Sequence, residues 1–363
     1  MFQRRASVAI ECIVALTCGA SAWTGLEPSK NALDVQAARD RIAARTKANR
    51  DRAEQARKSQ NVRQETQQST SKWNLAVDPE HLKCLAVDIG ASSSIGARRS
   101  MEDRSCCLTF LSKEDPVAFV AVYDGHAGVN CAAFLQTALI EQIRASLTAT
   151  TFSFSTLPTA MLGPLLTQAC ALADDSFLRS HLVDDSGSCA AFALIGKEKF
   201  AVVSSITYRT RIKFIQGNIG DSQLILSHKD TTIDLCTLHA PNNPHEKQRI
   251  EAAHGQVLNG GRYIFGYLGV SRAFGDRMLK EDITRPIVIS QPDVVIRERS
   301  KDDEFLLIAC DGLFEVFTPE SVAEFIRGHL KTMTPAEVSK KLVSDAIANG
   351  SQDNVSLILV VFD

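Results

Sequence analysis

The 363-residue chain has 45% hydrophobic side chains, which is enough to bury a large core and excludes a fibrous or wholly disordered protein. The first 73 residues hold 13 Lys and Arg against 7 Asp and Glu, so the remainder of a chain with net charge −2 carries −8. An acidic body argues against nucleic-acid binding, which depends on neutralising phosphates. The ten cysteines have no CxxC or Cys/His metal spacing and resemble small buried hydrophobic residues.

The N-terminus has the features of a secretory signal peptide over residues 1–22. Basic residues precede a mostly apolar run from Ala6 to Gly19, and an A-x-A pattern follows it. A permanent transmembrane helix is not expected, because the run is short and contains Glu11. A disordered or core-packed N-terminus is the alternative. This start favours the secretory pathway or an organelle, while the unpaired cysteines keep a cytoplasmic or nuclear location open.

Residues 23–76 form a basic segment of low hydrophobicity. Such a segment cannot bury enough surface to fold alone, so we expect it to be disordered or to form a solvated helix. A transit peptide and a basic interaction arm both fit, although its acidic residues count against the transit peptide. The folded domain is expected to span residues 77–363.

Within that domain, short apolar runs predict strands and amphipathic segments predict helices. The strands are expected at 84–89, 105–110, 117–123, 190–195, 213–219, 223–227, 294–297, 305–309 and 355–361. The helices are expected at 128–147, 157–182, 244–253, 319–331 and 335–349. The strands form clusters separated by pairs of helices, which favours an α+β fold with antiparallel sheets. Residues 197–211 fit either an additional strand or a long loop.

Acidic side chains recur where the predicted strands begin or end. Glu102 and Asp103 precede one strand, Asp124 and Asp311 each follow one, and Asp353 precedes the last. A single Asp-Gly is more typical of a turn. If all five carboxylates converge, their repulsion requires counter-charge, and Mg²⁺ or Mn²⁺ suits an all-oxygen set. Zinc is disfavoured, because the chain has no His/Cys cluster.

Several motifs occur in sequence over residues 88–363: GARRSMEDR, FVAVYDGHAG, DDSGSCAAFALI, GNIGDSQLIL, NNPHEKQRIEAAHG, YLGVSRAFGD, QPDV, DEFLLIACDGLFEV and SQDNVSLILVVF. Their composition and order resemble those of the protein phosphatase 2C family, the metal-dependent Ser/Thr phosphatases. The resemblance implies a central β-sandwich of two antiparallel sheets flanked by helices on both sides. It also implies a metal-containing cleft at one end of the sandwich.

The resemblance further implies a role for each acidic residue. Asp124 would bridge two Mg²⁺ or Mn²⁺ ions. Glu102 and the backbone carbonyl of Gly125 would bind one ion, and Asp311 and Asp353 would bind the other. Two cations about 4 Å apart would acidify a bridging water to hydroxide, which would hydrolyse phosphoserine or phosphothreonine directly.

Three further residues would complete the site. Arg98 would bind the phosphate, since an arginine fork suits phosphate oxygens. Asp103 would hold metal-bound water. His126 would act as general acid towards the leaving alkoxide. Taken outside its motif, His126 fits equally well a structural histidine at a helix start.

Some positions depart from the family pattern. Asp184 matches a position that helps to hold a third, weaker ion, although a plain loop aspartate fits it as well. Glu315 stands where the family usually has Asp, which puts that third site in doubt. Cys189 replaces a usual Thr. We expect His239, His245 and His254 to be surface or capping residues.

The leading interpretation is a monomeric, Mg²⁺- or Mn²⁺-dependent phosphatase acting on phosphoprotein substrates, with no nucleic-acid partner and no stable membrane span. The alternative is a pseudophosphatase that serves as a protein-binding module, which should have lost its metal ligands. A metallophosphohydrolase that acts on non-protein substrates, or a nuclease, is disfavoured by the acidic body and the motif set.

Overall fold

The computed structural model describes residues 73–110, 115–196, 199–203, 219–280 and 285–363. The described residues do not include the signal peptide predicted at 1–22 or residues 23–72 of the basic segment. Of the strand predicted at 213–219, they include only Ile219. The chain divides into two compact units. The described residues of one are 241–269, and those of the other are the remaining described residues. Among the described helices, none combines the length and apolar character that a bilayer span requires.

The described strands are β1 Trp73–Ala76, β2 Val87–Ser94, β3 Arg104–Phe110, β4 Val117–His126, β5 Gly187–Ile195, β6 Lys199–Val203, β7 Gln223–His228, β8 Thr231–Asp234, β9 Val257–Leu258, β10 Tyr263–Ile264, β11 Phe274–Gly275, β12 Val294–Glu298, β13 Asp303–Ala309 and β14 Val355–Phe362. The described α-helices are α1 Pro79–Leu85, α2 Asn130–Thr148, α3 Thr159–Ser180, α4 Pro244–Ala252, α5 Asp311–Phe314, α6 Pro319–His329 and α7 Pro335–Ala348. The smaller unit contains α4 and the β9–β10 hairpin.

Two mainly antiparallel sheets form the centre of the larger unit. Within the described residues, one sheet has the order β1-β3-β4-β5-β6-β12 with β11 added to β5, and the other has the order β2-β14-β13-β7-β8. The predicted α+β fold with antiparallel sheets is therefore confirmed. Strand β1 departs from it, because it pairs with β3 in parallel.

Strand β4 shows why this sequence forms a sheet that is covered by other elements on both faces. Successive side chains of a strand point to opposite faces, and the run from Phe119 to Tyr123 is apolar at every position. Val120 and Val122 lie in the cluster between the two sheets. Phe119 and Tyr123 lie in the cluster that includes α2 and α3 on the outer face. A strand covered on both faces is fixed in position up to its last residues.

The second sheet is covered in the same way. Leu306 and Ile308 of β13 belong to the layer between the sheets. Leu307 and Ala309, the alternate residues of the same strand, pack in the cluster that contains α6 and α7. Helices therefore flank both sides of the sandwich, as the resemblance implied.

The strand predicted at 84–89 is wrong in its first half. Asp78 caps a helix by accepting a hydrogen bond from the Glu80 amide at 2.9 Å, and Pro79 occupies its first turn. This helix, α1, continues to Leu85 and ends where Ala86 adopts a left-handed conformation with φ of 49°. The strand begins only at Val87.

The segment before the predicted domain also needs a correction, because residues 73–76 form strand β1 and belong to the sheet. The five predicted helices are confirmed, with ends that differ by at most two residues. Of the ambiguous stretch 197–211, residues 199–203 form β6, which pairs with β5 and β12. Residues 204–218 lie outside the described part of the chain.

Candidate metal centre

The ends of β4 and β13 bring acidic side chains from distant parts of the chain together. Ligand oxygens of Asp124, Asp221 and Asp311 all lie within 4.8 Å of one another. A second group, within the same distance limit, consists of an oxygen of Asp103, an oxygen of Asp124 and the Sγ of Cys310. Asp103 and Asp311 therefore each lie at ligand distance from Asp124, and the binding of metal by these residues stays a prediction.

Asp353 reaches the same region from the turn before β14. Its Oδ1 accepts a hydrogen bond from the amide of Asn354 at 2.6 Å, and its Oδ2 accepts one from Arg98. The Arg98 side chain is 45% exposed, so it lies at the rim of the acidic group. Arg98 is thus placed beside a predicted metal ligand, where it is accessible to an incoming phosphate.

Glu102 is held against the end of β4. Its Oε2 accepts a hydrogen bond from the amide of Gly128 at 3.1 Å, and its Oε1 accepts one from the Ser100 hydroxyl at 2.8 Å. A Cβ added to Gly125 would lie 2.4 Å from the backbone oxygen of Glu102. A glycine is therefore required where these two predicted ligands meet.

Asn354 fixes the segment that carries Arg98 and Glu102, a role that the sequence did not indicate. Its Nδ2 donates to the backbone oxygens of Ile95 at 2.9 Å and Ser100 at 3.0 Å. Its Oδ1 accepts from the Glu102 amide at 2.8 Å. One buried amide side chain therefore ties β14 to the loop between β2 and β3.

Simultaneous ionisation of the carboxyl groups in the cluster is unfavourable. Burial raises the pKa of Asp124 well above its ordinary value, and the negative charges of Asp311 and Asp103 raise it further. Burial also raises the pKa of Asp311, and the charge of Asp221 adds to that effect. For Asp103, burial raises the pKa to about 7. Positive charge placed among these groups would reverse the shifts.

The donor set fits hard divalent cations. The Oδ2 of Asp103 is buried and has no hydrogen-bond partner among the described residues. Burial raises the pKa of the Cys310 thiol well above its ordinary value, so sulfur is neutral there. That thiol also accepts from the Ser356 amide at 3.1 Å and faces the Asn354 carbonyl at 3.4 Å. The available ligands are therefore carboxylate oxygens, which Mg²⁺ and Mn²⁺ prefer.

Asp221 is a member of the cluster that sequence reasoning missed. It lies in the quoted motif GNIGDSQLIL, between the strands predicted at 213–219 and 223–227, but it was not singled out there. Burial raises its pKa, although the charges of His126 and His239 oppose that shift. Gly220 leaves room for the neighbouring Cys189, since an added Cβ would lie 2.1 Å from its Sγ.

The prediction that His239 is a surface or capping residue is wrong. Its side chain is fully buried, and its Nδ1 accepts a hydrogen bond from the Gly220 amide at 3.1 Å. Its own amide donates to the Gly220 carbonyl at 2.9 Å, and its Nε2 lies 3.4 Å from Asp293. His239 therefore supports the turn that presents Asp221. His245 and His254 are exposed, as predicted.

His126 ends strand β4 beside the cluster and is half-buried. Its Nε2 lies 2.9 Å from the nearer oxygen of Asp276, which the sequence did not single out. Burial alone would lower the pKa of His126, but the charge of Asp276 and its hydrogen bond raise that pKa above the ordinary value. The neighbouring carboxylate thus favours the protonated form of the imidazole.

The two residues expected at a third metal site have separate environments. Asp184 accepts hydrogen bonds from the Asn130 side chain at 2.5 Å and the Ser186 amide at 2.8 Å. Glu315 accepts from the Gln352 amide at 2.8 Å, so it faces the turn before β14. Within the described ranges, neither residue belongs to the two groups at ligand distance. The third site stays a prediction.

Comparisons with known proteins agree with this architecture. A family profile described as Protein phosphatase 2C matches residues 87–355. Protein phosphatase ppm-1.A of Caenorhabditis elegans is 33% identical over 285 residues, covering 75% of this chain and 58% of that protein. Protein phosphatase 2C homolog 2 of Schizosaccharomyces pombe is 34% identical over 288 residues, covering 75% and 72%.

The crystal structure of a serine-threonine phosphatase 2C from Toxoplasma gondii has a TM-score of 0.57 at 23% identity and covers 77% of this chain and 95% of that one. At this identity the likeness concerns the fold alone. This chain spans 58% of the length of the C. elegans relative. The family profile and the sequence relatives together establish that the chain belongs to the protein phosphatase 2C family of Ser/Thr protein phosphatases.

Proposed function

We propose that this chain hydrolyses phosphoserine and phosphothreonine in proteins with two bound Mg²⁺ or Mn²⁺ ions. The observation that carries the proposal is the group formed by Asp124, Asp221 and Asp311, whose oxygens lie within 4.8 Å of one another. Three carboxylates at this spacing are unfavourable without cations, and burial raises the pKa of each of them.

The predicted ligands are Asp124, Glu102, the backbone carbonyl of Gly125, Asp311 and Asp353. When bound, the cations would lower the pKa of a water molecule and neutralise charge on the phosphoryl oxygens. Glu102 and Asp353 have positions fixed by hydrogen bonds to the backbone, so the protein orients them before the ions arrive. Asp103, beside Asp124, would hold the attacking water by its carboxylate.

The rim residues act on the substrate. Arg98 would turn from Asp353 to the phosphate oxygens, for which a guanidinium is well suited. The oxygen of water bonds to phosphorus, and the bond from phosphorus to the seryl or threonyl oxygen breaks. The electron pair of that bond stays on the leaving oxygen, which takes a proton from His126.

The test is release of phosphate from a phosphothreonine peptide by the full chain with and without Mn²⁺. We expect turnover that depends on Mn²⁺ and is abolished in Asp311→Asn. A matched control is Asp230→Asn, in the exposed turn between β7 and β8. Binding of Mn²⁺ without turnover by the wild-type protein would favour the pseudophosphatase, and cleavage of nucleic acid instead of peptide would favour a nuclease.

We also propose that the protein acts as a monomer on phosphoprotein substrates and that residues 1–22 direct it to the secretory pathway or an organelle. Light scattering of the purified chain measures its mass in solution. Fusion of residues 1–75 to a fluorescent reporter tests the location, and a cytoplasmic or nuclear signal would refute the signal-peptide assignment.

A further inference from the structure

We propose that Asp276 is a positioning residue for His126, which it holds by the Nε2 atom so that Nδ1 delivers the proton to the leaving oxygen. The inference deepens the proposed function and rests on the role of His126 as general acid. The two carboxylate oxygens of Asp276 lie 3.0 and 2.9 Å from His126 Nε2. Asp276 itself is 8% exposed, so its charge acts on the ring with little screening by water.

The chain is shaped to let these two side chains meet. His126 pairs with Gly187 across β4 and β5. A Cβ on Gly187 would lie 2.2 Å from His126 Nε2 and 2.5 Å from an oxygen of Asp276. Any larger residue at position 187 would therefore occupy the space in which the imidazole and the carboxylate make contact.

The backbone at Asp276 is in an uncommon conformation. Its φ of 49° and ψ of 48° lie in the left-handed region, which aspartate tolerates better than most residues but which is still unfavourable. Gly275 before it also has a positive φ, of 72°, and an added Cβ there would lie 2.2 Å from the backbone oxygen of Ser186. Backbone held in such conformations is a feature of functional sites when the surroundings fix it.

A buried ion pair fixes this turn. Lys280 Nζ lies 2.6 Å from Asp174 Oδ2 and donates to the Ala273 carbonyl at 2.8 Å. The other oxygen of Asp174 accepts from the Gly275 amide at 2.8 Å. Both charged residues are at least nine-tenths buried. Helix α3 therefore anchors the turn that carries Asp276, and this anchor includes none of the predicted metal ligands.

The arrangement assigns one task to each ring nitrogen. Nε2–H donates to Asp276 throughout, which fixes the ring orientation and the tautomer. When the bond between phosphorus and the leaving oxygen breaks, that oxygen takes the Nδ1 proton and the ring becomes neutral. The attacking water gives up a proton to solvent, and His126 regains one from solvent, so the ring is restored for the next turnover.

The test compares two substrates whose leaving groups differ in their need for a proton. The alkoxide of a phosphothreonine peptide must be protonated, whereas p-nitrophenolate leaves without a proton. For Asp276→Asn we expect kcat on the peptide to fall on the order of 100-fold, with KM little changed. On p-nitrophenyl phosphate we expect kcat to change by less than about 3-fold, since loss of general-acid catalysis is not felt there.

The matched control is Asp303→Asn. Asp303 also pairs with a histidine, His228, at 2.8 Å, and the side chains of His228 and His126 are both 27% exposed. Its substitution should leave the ratio of the two kcat values unchanged. Adding Asp276→Asn to His126→Gln should cause no further loss on the peptide, because both changes remove the same proton transfer. An equal loss on both substrates in Asp276→Asn would overturn the proposal and leave Asp276 a structural residue.

A second measurement requires neither a folded Asp276→Asn variant nor turnover. NMR of the wild-type protein with ¹⁵N-labelled histidine, assigned with His126→Gln, should show an Nε2 proton protected from exchange. Protonation of His126 at Nδ1 alone would contradict the pairing. If the wild-type protein hydrolyses neither substrate with Mn²⁺, the proposed function fails, while the NMR result still decides the pairing.

Discussion

Replacement of Asp103 by asparagine should stabilise the metal-free protein at neutral pH, although the residue belongs to the candidate site. Burial raises the pKa of Asp103 from 3.8 to about 7. The folded state therefore binds this proton more tightly than the unfolded state does, and stability is lost as pH rises from about 4 through 7. A shift of roughly 3 units corresponds to about 4 kcal/mol at pH 8, and to less than about 2 kcal/mol at pH 5. Asp103→Asn, which cannot ionise, should recover most of this loss.

The assay is urea unfolding in EDTA at pH 5 and pH 8, followed by circular dichroism. Asp103→Asn should raise the free energy of unfolding more at pH 8 than at pH 5. The control is Asp230→Asn, which is exposed and has a φ of 61° that asparagine also tolerates. An equal effect of Asp103→Asn at both pH values would refute the argument, because a carboxyl with an ordinary pKa is already ionised at pH 5.

Gly187→Ala should separate His126 from its carboxylate partner, since the new Cβ would lie 2.2 Å from the imidazole, and should lower peptide turnover by about 100-fold in a steady-state assay. Gly90→Ala would place a Cβ 2.1 Å from a backbone oxygen at the start of α7, so urea unfolding should show a decrease of about 1–3 kcal/mol in the free energy of unfolding. Gly328→Ala in α6 has open space around it and should increase this free energy by up to about 1 kcal/mol. Equal effects of the two substitutions would contradict the close contact at Gly90. In Asn354→Asp, a carboxylate oxygen would face the two carbonyl oxygens to which the Asn354 amide donates, and the hydrogen bonds would become repulsive contacts. The loop that carries Arg98 should then be displaced, and KM for the peptide should rise by about 10-fold. An unchanged KM would show that this loop does not depend on the Asn354 side chain.

The sequence predicted those parts of the fold where local signals and burial agree. The strand at 117–123 is apolar on both faces, and the structure buries it on both faces. The helices that begin at Pro319 and Pro335 were predicted with the correct first residues, because proline suits the first turn of a helix. Helix α1 was missed because the apolar run at Cys84 and Leu85 hid the helix start at Asp78.

Within the candidate site, the carboxylates that follow or precede strands were predictable from chain position. Asp221 also lies between two predicted strands, but it was not singled out. The roles of Asp276, His239 and Asn354 depend on partners in other segments of the chain. Asn354 forms a hydrogen bond with a segment more than 250 residues away in the chain. A local sequence pattern cannot predict a contact between segments so far apart. Hydrogen bonds of this kind depend on the tertiary structure, so they become visible only when both segments have been placed.

Strand β1 has a practical consequence for laboratory preparations of this protein. It lies along the outer edge of β3, with Trp73 opposite Ser105 and Ala76 opposite Leu108. A truncated product that starts at residue 77 would present the seven-residue edge of β3 to a second molecule in place of the four-residue edge of β1. Recombinant versions that begin upstream of Trp73 should resist this self-association, and gel filtration of the two lengths would show the difference.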